Sequence, residues 1–156
     1  MAFDAVIDLG DLDGTNGFVV NGVDVDDNSG VSVSNIGDIN GDGFDDVIIG
    51  VYRSDAGATD SGESYIVFGK ASGFTAALDL STLDGSNGFR LDGIDVSDFS
   101  GIAVSGAGDV NGDGFDDIII GARLGDAGAT DSGESYVVFG KASGFTAALD
   151  LSTLDG

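Results

Sequence analysis

The segment GDINGDGFDDVIIG, Gly37–Gly50, returns as GDVNGDGFDDIIIG at Gly108–Gly121, an offset of 71 residues. Repetition at a fixed period marks an architecture of stacked copies of one unit. The repeat extends outward from that core in both directions. Asp55–Gly85 matches Asp126–Gly156 at 30 of 31 positions, with Ile66 against Val137 as the exception. Phe3–Phe18 (FDAVIDLGDLDGTNGF) matches Phe74–Phe89 (FTAALDLSTLDGSNGF) at the same offset. The 156 residues therefore hold two units and the first 14 residues of a third.

Inside a unit the apolar residues follow strand periods. Val31-Ser32-Val33-Ser34 alternates with period two, and Val47-Ile48-Ile49 is a short unbroken apolar run. The first pattern suits a half-buried strand, the second a strand covered on both faces. Tyr65–Phe68 reads as a third strand. A fourth falls at Phe18–Val20 and Phe89–Leu91, with a rival placement at Ala77–Leu80, where Leu78 and Leu80 alternate with Asp79. Gly and Asp interrupt every candidate helix. A period of this length is too long for most helical solenoids and suits units of about four strands repeated around an axis. The expected fold is all-β, a β-propeller of four-stranded antiparallel blades; a two-sheet sandwich is the alternative.

The loop Asp38–Asp46 places oxygen-bearing side chains at its positions 1, 3, 5 and 9, namely Asp38, Asn40, Asp42 and Asp46. Gly43 permits the sharp turn, and Phe44 can offer its backbone carbonyl. The second copy supplies Asp109, Asn111, Asp113, Phe115 and Asp117, with Gly114 at the turn. Hard cations take about six to eight oxygens, and calcium tolerates irregular geometry better than magnesium. Carboxylates this close together repel unless a cation stands between them. These ten residues are the candidate calcium ligands; the alternative is a metal-free turn held by Asx hydrogen bonds. The loop is not an EF-hand, because Ile49 and Ile120 stand where the bidentate Glu would be and a strand-like run follows. Asp45 and Asp116 are expected to point away from the cation, toward backbone amides or solvent.

With these motifs, and with SYIVFG and SYVVFG after them, the unit resembles the FG-GAP repeat of integrin α-subunit propellers and of many bacterial surface or secreted proteins. The resemblance implies a blade whose first two strands are joined by a calcium-binding hairpin, here Asp38–Asp46 and Asp109–Asp117. It also implies an extracellular or cell-surface setting and an adhesion-type role. The Phe-Gly of the family is loosened to Phe99-Ser100-Gly101 and Asn28-Ser29-Gly30, and its Gly-Ala-Pro to Gly121-Ala122-Arg123 and Gly50-Val51-Tyr52.

Propellers close with about four to eight blades, so two blades cannot close a ring. Residues 1–22 are read as an outer strand completing a neighbouring blade, 23–93 as the first blade, 94–142 as the second, and 143–156 as a partial repeat. Head-to-tail contacts then give a homo-oligomer, a trimer or tetramer with about six or eight blades. Phe145–Gly156 and Phe3–Gly14 of a neighbour would compete for one place. The near-identity of the halves fits a recent duplication or a designed protein.

Composition narrows the function classes. There are 28 Asp plus Glu against 5 Lys plus Arg, a net charge of −23, and no His, Cys, Pro or Trp. Lack of His and Cys excludes a Ser-His-Asp triad, a thiol nucleophile and thiolate or HExxH metal sites. The negative balance argues against nucleic acid and against anionic lipid, and no apolar run is long enough for membrane insertion. Met1–Gly10 lacks the form of a signal peptide. The favoured reading is a non-catalytic calcium-binding structural or adhesion module. A lectin-like or integrin-like module with a protein or glycan ligand is second, and a propeller hydrolase or lyase third. Asp24, Asp26, Asp27, Asp95 and Asp98 are read as a solvated turn rather than a second cation site. Asp55, Asp60, Glu63 and their copies Asp126, Asp131 and Glu134 are read as an exposed loop rather than a ligand rim or glycosidase pair. Phe44, Phe68, Phe74, Phe89 and their copies are assigned to core and inter-blade packing.

Overall fold

The computed structural model describes residues 8–154. The parts of the repeat at Phe3–Ile7 and Asp155–Gly156, and most of the stretch read for a signal peptide, lie outside them. In chain order the strands are β1 (Val19–Asn21), β2 (Ser32–Gly37), β3 (Asp46–Val51), β4 (Glu63–Val67), β5 (Ala77–Asp79), β6 (Gly88–Asp92), β7 (Ser100–Gly108), β8 (Asp117–Ala122), β9 (Glu134–Val138) and β10 (Ala148–Asp150). Three single 3-10 turns, Leu9–Asp11, Leu80–Thr82 and Leu151–Thr153, complete the regular structure, with no α-helix among the described residues.

The first blade is the antiparallel run β2-β3-β4-β6, and β10 adds to its outer edge, parallel to β6. The sheet therefore has five strands, not the four expected. The second blade shows β7-β8-β9 alone, and β1 pairs with β5 as a separate parallel ribbon. Both placements considered for the fourth strand are strands. Phe89 lies in β6, on its own blade; Leu78 lies in β5, but on the ribbon beyond it. After β4 the chain crosses to lie outside β1, turns, and returns as β6; after β9 it crosses to lie outside β6 in the same way. The described part of the partial repeat, 143–154, thus laces the second blade to the first.

Identical local chemistry drives each crossing. Asp8, Asp79 and Asp150 cap the three turns, their carboxylates accepting the N–H of Gly10, Ser81 and Ser152. Downstream, Asp84 accepts both the N–H (2.9 Å) and the hydroxyl (2.6 Å) of Ser86, as Asp13 does from Thr15 (2.8 and 2.6 Å). These bonds hold the Asp13 and Asp84 carboxyls below their ordinary range. Phe18 stacks on Phe74 at 4.5 Å and Phe89 on Phe145 at 4.7 Å, so one aromatic pair fixes each strap.

Two cores lie on either face of the first blade. Ile36, Ile48, Ile66 and Phe89 pack with Val104, Ile118, Ile120 and Leu151; Ile49, Val51, Tyr65 and Val67 pack with Leu80 and Leu83. This explains the unbroken apolar run of β3, and why β4 is buried throughout while β9 alternates. The repeat position Leu9/Leu80/Leu151 separates docked from undocked straps, with exposures of 78, 1 and 2%. Leu80→Ala and Leu151→Ala should each destabilise by about 2–5 kcal/mol, and Leu9→Ala by under about 0.5 kcal/mol, as measured by urea unfolding.

Glu63 is buried in β4 rather than exposed in a loop. It accepts the Tyr65 hydroxyl at 2.5 Å, and Arg90, itself bound to Asp92 at 2.5 Å, stands 3.6 Å from it. Burial raises its carboxyl above the ordinary value, against the pull of Tyr65, Ser54 and Arg90. A carboxyl raised in the folded state binds more protons there than in the unfolded chain, so its contribution falls as pH rises above 4.5. Relative to Glu63→Gln, the native chain should therefore gain stability as pH is lowered from neutral toward that value. A stability difference independent of pH in paired urea titrations would contradict this.

Candidate metal centre

Both candidate loops lie at the hairpins joining the first two strands of a blade, β2–β3 and β7–β8. Each begins at a register irregularity, Asn35/Gly37 and Gly106/Gly108, which breaks the ladder where the loop starts. The Asp38 carboxylate accepts the N–H of Asp42 (3.0 Å) and of Gly43 (2.8 Å), and the Asn40 side-chain oxygen accepts Asp42 N–H (2.9 Å). Asp42 accepts Phe44 N–H (2.9 Å) and the Asn40 amide (3.1 Å). The second loop repeats this. Asp109 accepts from Gly112, Asp113 and Gly114, Asn111 from Asp113, and Asp113 from Phe115 and Asn111.

Asp38, Asn40 and Asp42 are thus gathered on one turn of backbone, as are Asp109, Asn111 and Asp113. Asp46 and Asp117 do something the sequence did not reveal. Both are fully buried. Asp46 accepts Ile39 N–H (3.0 Å) and Gly69 N–H (2.8 Å); Asp117 accepts Val110 N–H (2.8 Å) and Gly140 N–H (2.9 Å). Each ties its loop to the end of the blade's third strand. Burial pushes the Asp46 carboxyl up to about 6, and the charges of Asp42 and Asp38 add to the rise, while the two amides oppose it. Phe44 and Phe115 enter these networks through their N–H groups.

Among the described residues, no three acidic side chains form a group close enough to hold a metal ion. The donor chemistry nonetheless fits a hard cation. Carboxylate and amide oxygens in each loop are held by local N–H donors and retain lone pairs. None has a cationic partner: the ion pairs among the described residues involve Arg90, and Lys70, Lys141, Arg53 and Arg123 lie over aromatic rings.

The position-8 residues point away from the loop centre. Asp116 reaches across to the first blade and accepts Asp38 N–H at 2.9 Å, while Asp45 accepts from the Asn35 amide at 3.2 Å. The Phe115 ring covers Gly41, where a Cβ would lie 2.4 Å from it at φ +73°; only glycine fits. Phe44, the copy of Phe115, is exposed, because no blade faces it. In the connecting loops, Asp27 and Asp98 are buried rather than solvated, and burial raises both carboxyls. Asp55 stays exposed and accepts Asp60 N–H at 2.7 Å.

A hairpin of this kind joins the first two strands of each of two equivalent sheets, which defines a β-repeat protein. The family model for the FG-GAP repeat matches residues 29–67 and 100–138, and the chain belongs to the FG-GAP repeat family. The matches span β2–β4 and β7–β9 with both loops. Repeats of this family suggest an integrin-like propeller module, are typically non-enzymatic, and are typically extracellular. No helix among the described residues is long and apolar enough to cross a membrane.

The two possible duties of a loop carboxylate are separable. Without calcium, Asp46→Ala orphans two amides and should destabilise by on the order of 1–3 kcal/mol for each. Asp42→Ala in the same conditions should change stability little. Urea unfolding in chelator makes the comparison; equal losses would contradict the anchoring role of Asp46.

Proposed function

We propose that the chain is a calcium-binding, non-catalytic structural module of an extracellular or cell-surface adhesion-type propeller, and that it self-assembles. The observation that carries this reading is the duplicated loop. Two oxygen-rich turns of equal length stand at equivalent hairpins, with their side chains ordered by backbone amides and no basic residue to neutralise them. Asp38, Asn40 and Asp42 with the Phe44 carbonyl would hold one ion, and Asp109, Asn111 and Asp113 with the Phe115 carbonyl the other, while Asp46 and Asp117 fasten the loops to their stems. A bound cation would supply charge neutralisation to the hairpin; the chain's own contribution is to pre-order the oxygens and to fasten each hairpin to its blade.

The absence of catalysis rests on symmetry and composition. Apart from Asp4, Asp11, Asp26 and Asp92, every acid has a copy 71 residues away, and there is no His or Cys to act as base or nucleophile.

Ligand that binds only the folded chain stabilises it by mass action, about 2.7 kcal/mol per site at a hundredfold excess over Kd. Calcium titration calorimetry should give two sites per chain. Chelator should lower the melting temperature, and Asp42→Ala or Asp113→Ala should each remove one site and part of that shift. A melting temperature indifferent to calcium would overturn the assignment.

A further inference from the structure

Among the described residues, two surfaces lack partners, and the inside of the same molecule shows how each is covered. The first is the outer edge of β9. In the first blade the equivalent edge, β4, is paired by β6, with Tyr65 opposite Arg90 and Ile66 opposite Phe89, and Phe68 N–H donates to Asn87 O at 3.1 Å. The copies of β6 and β10 are β1 and β5, already paired with each other in matching register, Val19 to Ala77 as Arg90 to Ala148. They form a finished outer ribbon with no inner strands of its own.

The second surface is the far face of the second blade. Its apolar residues are exposed where their first-blade copies are buried: Val110 at 59% against Ile39 at 0%, and Phe139 at 51% against Phe68 at 7%. The reverse holds on the open side of the first blade, with Val33 at 65% against Val104 at 9%. Inside the chain, three of the contacts by which the second blade covers the first lie at the hairpin end. Asp116 accepts Asp38 N–H, Phe115 lies on Gly41, and Lys141 N–H donates to Ile39 O at 2.9 Å. Their copies are unmade on both sides: Asp45, Phe44 and Lys70 on one, Asp109, Gly112 and Val110 on the other. A Cβ at Gly112 would meet nothing within 4 Å.

We propose that these two surfaces join second copies of this chain head to tail, in the register the molecule already uses internally; this rests on the self-assembling reading above. The β1–β5 ribbon of a second copy continues the second blade's sheet, with Val19 of the second copy opposite Tyr136 and Phe18 of the second copy opposite Val137. Phe139 N–H then donates to Asn16 O of the second copy. In the same docking, Phe44 of the second copy covers Gly112, and Asp45 of the second copy accepts Asp109 N–H.

Charge differs at this seam. Arg90 and Asp92 of β6 become Val19 and Asn21 in β1, so Glu134 meets no counterpart of the Arg90 that stands 3.6 Å from Glu63 inside the chain. Two internal interactions have no counterpart: the ion pair of Arg90 with Glu63, whose arginine becomes Val19, and the bond from Val104 N–H to the Ser32 hydroxyl at 3.0 Å, whose serine becomes Ala103. An open edge with exposed apolar flanks on both ends of one molecule favours a copy of itself over an unrelated partner, because the exposed faces repeat the paired ones inside it. The place that residues 8–12 of the second copy would take outside β6 is held by residues 150–154 of the first, so that segment of the second copy lies elsewhere, as the 78% exposure of Leu9 allows.

Native mass spectrometry of the unmodified chain in calcium counts chains and metal ions together. A complex of three or four chains is expected, and a monomer at all micromolar concentrations overturns the proposal. Calcium loading without assembly would leave the metal reading standing while removing the seam. Register is tested by disulfide trapping, which the absence of native cysteine makes clean. Arg90 N–H points away from β4, to Ala147 O at 3.0 Å, so Tyr65–Arg90 is the closer, non-hydrogen-bonded kind of pair, about 4.5 Å between Cα atoms. That separation lies within disulfide reach. Val19→Cys with Tyr136→Cys should link most chains to one another on oxidation. Val19→Cys with Val137→Cys, slipped by one residue and facing the other way, should link few. Assembly without the first link, or equal linking in both pairs, overturns the register. Hydrogen exchange on the unmodified chain needs no variant: the Phe139 amide should be protected in the assembly, and free exchange there would also overturn the proposal.

Discussion

The structure depends on sheets stacked face to face, the first blade burying both sides of its central strands. Ile48 of β3 is buried by Ile118 and Ile120 from the next blade, while Ile49 and Val51 on its other side are buried by the turn at Leu80. Apolar burial contributes roughly 25 cal/mol per Å², and a sheet covered on one side forgoes half of it. Everything else in the unit serves to bring a second surface against the first. The hairpin loops do so through Asp116 and Phe115, and the straps through Leu80 and Leu151.

The acidic residues have several physical duties, which the net charge conceals. Some cap 3-10 turns, as Asp79 and Asp150 do. Some clamp a loop to a strand end, as Asp46 and Asp117 do. One bridges blades through a backbone amide, as Asp116 does. The exposed loop acids, Asp38 and Asp42 with their copies, are left over once those duties are assigned. Asp suits all of these roles because its short side chain reaches nearby amides, where Glu would overshoot.

Much of this was legible in the sequence. The period, the central strands and the hairpin loops follow from residues whose partners lie close by, so β3 and β4 emerge within a residue or two of their apolar runs. The straps were less legible. Ala77–Asp79 is three residues long, and its partner is fixed by the neighbouring repeat rather than by pattern, so two rival placements were both partly right. The burial of Glu63 was hidden because its stabilisers, Tyr65 and Arg90, are read as ordinary strand residues. The anchoring by Asp46 was hidden for a different reason: spacing alone cannot separate a carboxylate that faces a loop centre from one that faces its stem.

The lacing has a consequence for how such a chain leaves the ribosome. The outermost strand of the first blade pairs with β6 from a position about 58 residues further on, Ala148 against Arg90. Domains otherwise tend to fold as units in the order in which they emerge. Here no unit can finish its outer layer until most of its successor has been synthesised, so completion runs one repeat behind translation.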